Sequence, residues 1–518
     1  MFTFIDNFLD RITMYRLVLY ELIGLLIIAA ICGFLGFLPY SFADILYSSG
    51  FILFVCLISN KIFSYVFEAP TNVESVYITA LILSLIITPV HVTRFGISIA
   101  AIRLIIQQSV FLGWAGLLSM ASKYIFAIGK KHLFNPVAIA VVLTAFVLGA
   151  SASWWVGTAV LMPFVAVFGL LIVRKIQRED MLFVFFLVAM LTEGMFTLMH
   201  GGDMFATLQT LIFRSSLLFF GFVMLTEPLT TPPTKKLQLM YGGLVGLLFS
   251  PHVNLFGIYS TPELALVVGN VFSYFVSPKE KLYLHLKEKL QYGVDIIDFV
   301  FAPVGKFNFT PGQYLEWTLP HDKIDTRGNR RYFTIASSPT EESVHLGVKF
   351  NANGSSFKRA LARMDGVTPI VASQLAGDFT LPSDQKEKLV FIAGGIGITP
   401  FRSMIKYCVD TKQNRSIVLF YANKLFSEIA YADVFEAART IGIRTVYTLT
   451  DTQSVPSNWR GRTGRVTKQM IEEEIPDYRE RTFYLSGPHA MVTGFEETLH
   501  SLGVSQIRIK KDFFPGFV

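Results

Sequence analysis

Arg331, Phe333 and Thr334 stand in the run Arg331-Tyr332-Phe333-Thr334-Ile335-Ala336-Ser337-Ser338, which follows a strand-like Gly312-Gln313-Tyr314. A guanidinium can fork onto a pyrophosphate, a ring can stack on a larger ring system, and a neighbouring hydroxyl can meet a reactive nitrogen. That trio suits a flavin, which brings its own redox chemistry and asks the protein for placement and electrostatics. Further along, Ala393-Gly394-Gly395-Ile396-Gly397-Ile398-Thr399-Pro400 joins a buried strand to a helix. Its glycines let backbone approach a pyrophosphate, and the amides and dipole of the helix N-terminus attract the anion. Pro400 fits the first helical turn. Gly354-Ser355-Ser356 offers N–H and hydroxyl donors, the chemistry of an anion nest. Each signal alone is weak, since an isolated arginine is more often a surface ion pair and a lone glycine turn is often just a turn. Their order along one chain gives them weight.

The elements that must hold these residues fall into two patterns. Strand-like runs Leu282–Lys287, Tyr314–Leu319, Arg331–Ile335 and His345–Phe350 alternate with turns, as in a small antiparallel β-barrel. From Lys388–Ala393 onward, Ser416–Tyr421, Arg444–Leu449 and Thr482–Leu485 alternate with helical stretches, the pattern of a parallel α/β domain. The expected boundaries are 279–384 for the flavin barrel and 385–518 for the nucleotide-binding domain.

Barrel, α/β domain and ordered motifs together resemble the ferredoxin–NADP reductase superfamily over residues 280–518. The resemblance implies FAD, with Tyr314, Arg331, Phe333, Thr334 and Gly354-Ser355-Ser356 as its binding residues. Arg331 would contact phosphate, Phe333 would stack on the ring system and Thr334 would lie near the nitrogen that accepts hydride, leaving Tyr332 in a variable position. NADH or NADPH would bind at Gly394, Gly395, Gly397, Ile398, Thr399 and Pro400, with Tyr421 near the adenosine ribose. Ser486-Gly487-Pro488-His489-Ala490-Met491 resembles the family's Cys-Gly-Pro-x-x-Met, which brackets the nicotinamide. Serine replaces cysteine there, and Ser486 joins Thr334 as a catalytic candidate. Lys424 would favour a 2′-phosphate and Glu428 oppose one, so the choice between NADH and NADPH stays open. Phe517 lies in a C-terminal aromatic segment that would either cover the flavin or dock as an apolar tail.

Everything before residue 279 reads differently. The chain is 52% hydrophobic and 16% charged with mean hydropathy +0.49, where soluble proteins carry about 25% charged residues. A span needs about 20 mostly apolar residues. Candidates are Leu17–Leu38, Gly50–Val66, Val76–Val90, Leu104–Ile128, Val137–Ala150, Trp154–Val173, Met181–Met199, Phe205–Thr226, Leu237–Ile258 and Glu263–Val276. About ten spans are therefore expected, with Leu17–Leu38 retained rather than cleaved. Arg94–Arg103 is expected to be re-entrant or interfacial. Lys and Arg fall at every second connection, including Arg16, Lys131, Arg174 and Lys235, which puts both termini in the cytoplasm of a multi-pass plasma-membrane protein. The same basic loops account for the net charge of +7 without nucleic acid. Glu227, in Thr226-Glu227-Pro228-Leu229-Thr230-Thr231-Pro232-Pro233, is the foremost polar candidate, because a proline-broken run at a helix end leaves backbone groups free for a ligand.

Lys131-His132-Leu133-Phe134-Asn135-Pro136 and Met224 through Thr234 resemble motifs in the membrane subunits D of Rnf complexes and B of the sodium-pumping NADH:quinone reductase. That family binds flavins and relays electrons within an ion pump. Its phosphoester-linked FMN motif is missing, so a noncovalent FMN or riboflavin is the form this half would hold. The membrane-half histidines each stand alone and no helix carries two, which argues against haem. Three cysteines cannot build an iron–sulfur cluster, which needs about four thiolates, and no metal site is expected. The function expected is transfer of electrons from NAD(P)H through FAD into the membrane domain, toward a flavin, a quinone, or a protein or trans-side acceptor. The alternative is an ion-translocating or transport protein driven by the reductase.

Overall fold

Thr13, Ser41 and Asn135 are each followed by an apolar helix, and each side chain accepts a backbone amide of the first turn. The computed structural model describes all residues except 1–4, 6–7, 10–11, 69–72, 93–98, 129–130, 256, 280, 306, 326–327, 351–353 and 513–518. The chain divides into two compact units between Ser277 and Pro278.

The first unit is helical: α1 Met14–Phe34, α2 Phe42–Val66, α3 Val73–Ile86, α4 Ile99–Ile125, α5 Pro136–Leu148, α6 Met162–Ile176, α7 Glu179–Met199, α8 Met204–Phe213, α9 Leu217–Phe219, α10 Lys235–Leu248 and α11 Pro262–Val276. A π-helical turn, Phe220–Leu225, continues α9. Among the described residues four helices are long and apolar enough to cross a membrane, or five if the bent pair α8 and α9 forms one span. The expectation of about ten spans is corrected accordingly. Apolar runs marked the right places but not the helix lengths. Val137–Ala150 stops at Gly149 in the left-handed conformation, and Trp154–Val173 contains a 3-10 turn and a helix of only 15 residues. Leu237–Ile258 yields a 14-residue helix and a two-residue ladder. Phe205–Thr226 bends by 56°, where the Ser215 hydroxyl takes the Leu217 amide. Arg94–Arg103 lies partly outside the described residues, and its last five residues belong to α4.

The proline-broken motifs come together in this unit. Asn135 Nδ2 donates to Glu227 Oε2 at 2.7 Å, and the Asn135 amide donates to Asn270 Oδ1 at 2.8 Å. Asn270 in turn donates to the Tyr241 hydroxyl at 3.2 Å. The Asn135 Oδ1 meanwhile caps α5 through the Val137 and Ala138 amides. Buried polar groups in an apolar bundle are tolerable only when paired, and one asparagine links the start of α5, the Glu227 run and the middle of α11.

The second unit opens with β1 Leu282–Tyr292, β2 Ile296–Pro303, β3 Tyr314–Thr318, β4 Arg330–Thr334, β5 Val344–Lys349 and β6 Ile370–Ala376. They form one antiparallel sheet in the order β4-β3-β6-β1-β2-β5, curled around Phe299, Phe301, Trp317 and Phe357. The helix α12 Ser356–Arg363 closes that core. Next come β7 Leu389–Gly394, β8 Ile417–Asn423, β9 Arg444–Leu449, β10 Arg462–Thr463, β11 Thr482–Ser486 and β12 Ile509–Lys511, parallel in the order β10-β9-β8-β7-β11-β12. Helices α13 Thr399–Asp410, α14 Ala432–Ala438, α15 Lys468–Glu474 and α16 His489–Ser501 flank it. The chain reverses direction across the sheet between β7 and β11, so a crevice is expected beyond the carboxyl ends of those two strands.

Asn135→Ala leaves the Glu227 carboxylate short of a partner and removes the cap of α5, while the backbone bond to Asn270 survives. We expect a loss of about 2–5 kcal/mol, read as an earlier thermal transition of the detergent-purified protein, whereas Asn135→Ser should lose less because a hydroxyl can still cap α5.

Candidate flavin and nucleotide site

Register places Trp317 opposite Arg331, Glu316 opposite Tyr332 and Tyr314 opposite Thr334. Alternation along β4 then separates its side chains. Arg331 is buried, its guanidinium 5.4 Å from the Phe357 ring and donating to the carbonyls of Gly328 and Arg330. Phe333 lies on the same side, 6.0 Å from Phe357 and half-buried. Since Phe357 follows Ser355 and Ser356, the structure brings the expected phosphate residues together: Arg331 and the first turn of α12. Tyr332 and Thr334 take the other side. Tyr332 meets Tyr314 edge to face at 5.7 Å and donates to Glu316 at 2.9 Å. It was expected to be merely variable, and is half of an aromatic pair beside buried Thr334.

The first turn of α12 takes an anion from the chain itself. Ser355 caps the Lys358 amide, while the Ser356 amide donates to Asp325 Oδ2 at 2.8 Å. The Ser356 hydroxyl accepts the Asp325 amide and bonds His321, both at 3.0 Å. The first turn of α12 thus presents an amide donor to a carboxylate.

At the carboxyl ends of β7 and β11 the two glycine motifs touch. A Cβ on Gly397 would lie 2.5 Å from the Ser486 carbonyl, and one on Gly394 would lie 2.3 Å from Met491 Sδ. Only glycine permits this approach, so Gly394-Gly395-Ile396-Gly397 and Ser486–Met491 form one lip. Gly395 is partly exposed at φ +53° with open space around it, while Ile398, Thr399 and Pro400 are buried at the start of α13. Gly487 and Pro488 lie on the same lip, Pro488 against Gly394. Tyr421 does not reach it. Its ring is fully enclosed in the α/β core and its hydroxyl accepts the Ala430 amide at 3.2 Å, because β8 is a central strand covered on both faces. Lys424 donates its amide to Glu428, which pairs with Lys349 at 3.0 Å. Phe517 lies outside the described residues. No cluster of three or more metal-ligating side chains occurs among the described residues.

Sequence reasoning missed a carboxyl beside Ser486. The Ser486 hydroxyl donates to Asp512 Oδ2 at 2.9 Å. Asp512 is partly exposed as a residue, but its carboxyl end is enclosed, and burial pushes it up to about 7 against the opposing pull of the Ser486 hydrogen bond. It also missed Arg402. This buried side chain donates to the Ala336 carbonyl at 3.1 Å and to Glu341 Oε1 at 2.8 Å, with a second contact to Glu341 Oε2. Burial pulls the Glu341 carboxyl upward, and the guanidinium outweighs it, so Glu341 sits below the usual carboxylate range. Nothing local in either sequence stretch signals that pairing.

Comparison with known proteins fits this geometry. Residues 391–497 match the family of the oxidoreductase NAD-binding domain. The flavohemoprotein of Oceanobacillus iheyensis is 24% identical over 242 residues, 44% of this chain and 57% of that protein. The reductase subunit of stachydrine N-demethylase from Rhizobium meliloti is 27% identical over 227 residues, 42% of this chain and 63% of that protein. Among solved structures, the Amycolatopsis cytochrome P450 reductase is similar with a TM-score of 0.40 and 22% identity, covering 46% of this chain and 71% of that one. The C-terminal half is a ferredoxin–NADP reductase-like oxidoreductase module. The chain spans less than two thirds of the length of the curated relatives named here. The matched domain includes Gly394–Pro400 and Ser486–Met491, and no part of the helical unit.

Gly397→Ala should abolish measurable nucleotide binding with the folded circular-dichroism spectrum retained, because the added methyl collides with backbone. Asp512 has a folded pKa above its unfolded value of 3.8. Its contribution to stability is therefore complete below pH 3.8 and lost as pH rises to about 7. We expect Asp512→Asn to match the wild type in denaturant melts near the acid end of that window and to exceed it above the window.

Proposed function

We propose that this chain is a membrane-embedded oxidoreductase that takes hydride from NADH or NADPH onto FAD and sends electrons on to an acceptor served by the helical unit. The joined lip of Gly394–Gly397 and Ser486–Met491, whose helix is tied through Arg402 and Ser403 to the segment just past the strand bearing Arg331 and Thr334, carries the reading. FAD supplies the conversion of a hydride pair into single electrons when bound. Arg331 and the amides and hydroxyls of Gly354, Ser355 and Ser356 hold its phosphates, with Asp325 giving way. Tyr314, Phe333 and Thr334 orient the ring. Gly395, Gly397 and the start of α13 at Ile398-Thr399-Pro400 bind the nucleotide pyrophosphate, Gly487, Pro488 and Met491 border the nicotinamide, and Ser486 meets its reacting edge. The boundary between flavin barrel and nucleotide domain is placed at residue 384.

The helical unit is read as a multi-pass plasma-membrane domain with both termini cytoplasmic, similar to the Rnf and sodium-pumping reductase subunits. Its four or five long apolar helices support this reading, as does their lipid-ready surface of Ile27, Ile31, Phe54 and Phe183, each more than half exposed. A quinone, a noncovalent FMN or riboflavin, or a protein on the far side are the acceptors this arrangement would serve. A second reading, ion translocation driven by the reductase, is favoured by one observation: Glu227, Asn135, Asn270 and Lys123 place charge and amides inside an apolar bundle.

Protein reconstituted in liposomes with an enclosed one-electron acceptor should reduce it when NADH or NADPH is added outside. Reduction only when acceptor and nucleotide share a side would rule out transfer across the bilayer. Sodium or proton uptake during turnover would decide for the second reading.

A further inference from the structure

The chain lays the flavin strand and the nucleotide helix on two different sheets, and hydride transfer between them needs a separation fixed to a fraction of an ångström. A forked side chain spans that gap at the nucleotide helix. Arg402 lies three residues into α13, the helix that opens at the nucleotide turn. Its guanidinium reaches the carbonyl of Ala336 at 3.1 Å, two residues past Thr334 at the end of β4. The next residue repeats the contact, with the Ser403 hydroxyl donating to the Ser337 carbonyl at 2.6 Å. Glu341 completes the clamp, receiving both terminal nitrogens of Arg402 and the Ser338 amide at 2.6 Å. The clamp is itself held in place. Arg402 lies 5.5 Å from the ring of Tyr431, which packs 5.1 Å from Tyr292 of β1, and Ser337 Oγ accepts the amide of His345, whose ring bonds Asp298 at 2.7 Å.

We infer that Arg402, clamped by Glu341, is the positioning residue for hydride transfer, setting how closely the nucleotide helix approaches the flavin strand. It touches neither cofactor nor nucleotide in this role. A bidentate arginine–carboxylate pair is planar and rigid, so it fixes orientation as well as distance. A lysine or a glutamine in the same place keeps hydrogen bonding but gives up the fork. The inference rests on the proposed function, because it assigns a role within that reaction.

The test uses the full-length detergent-purified protein and its Arg402→Lys and Glu341→Gln variants, mixed rapidly and anaerobically with NADH or NADPH and with the 4-deuterated nucleotide. We expect both variants to retain bound flavin, near-ultraviolet dichroism and affinity for the oxidised nucleotide. The saturating rate of flavin bleaching should fall about 10- to 100-fold, and the primary isotope effect should become steeply temperature-dependent where the wild type's is flat. Arg402→Ala should show the same signature more strongly wherever it folds. An unchanged rate and isotope effect in variants that bind flavin overturns the inference and leaves the proposed function standing. So does a rate loss fully matched by lost flavin or weakened nucleotide binding. A wild type that bleaches with neither nucleotide overturns both.

Discussion

A guanidinium taken out of water must be matched by a carboxylate and by carbonyls, or it destabilises the fold that buries it. Arg402 meets that condition with Glu341 and Ala336, which lie on the stretch immediately after the flavin strand. Removing one partner of such a pair typically costs about 3–5 kcal/mol, because the other is left charged and buried. The interaction therefore couples two layers that are also joined by the Ser403–Ser337 bond, the Lys349–Glu428 ion pair and apolar contacts such as Phe379 against Phe401 and Tyr484. Apolar contacts are permissive about sliding; a forked ion pair is not. The catalytic geometry proposed for this module depends on that difference.

Around the clamp, the chemistry is distributed by backbone rules. Parallel strands deliver two glycine turns to the same edge of a sheet, and the absence of Cβ atoms lets them touch. An antiparallel edge strand delivers a guanidinium to one side and a hydroxyl to the other. The helical unit, in the reading proposed for it, answers to a different solvent. Its polar side chains are few, and Asn135 shows how they are managed, with capping, a carboxylate partner and an amide partner combined in one residue. That economy is what a bilayer demands, and it places the two proline-broken motifs side by side, whichever of the proposed roles they serve.

Much of the reductase module was legible in the sequence because its signals are local. Arg331, Thr334, the glycine turn and Ser486–Met491 announce themselves by residue type and spacing, and the module type follows from their order. What escaped was set by tertiary contact. Arg402 and Glu341 are 61 positions apart, and no spacing rule joins them. Asp512 matters through a hydrogen bond to a serine 26 positions earlier. Tyr421 was drawn toward the nucleotide by its place at a strand end, but a central strand buries both faces. In the helical half, hydropathy found the segments and overcounted the spans. Gly149 and Trp154 adopt positive φ, and those turns leave the apolar runs beside them in pieces too short to cross a membrane alone.

The most direct test of the account is flavin stoichiometry in the purified full-length protein, with acid extraction to separate released from covalent flavin, followed by anaerobic addition of NADH or NADPH. The account predicts at least one FAD per chain, released by acid and bleached by one of the two nucleotides. A chain that binds no flavin, or whose flavin stays oxidised with both, would contradict it.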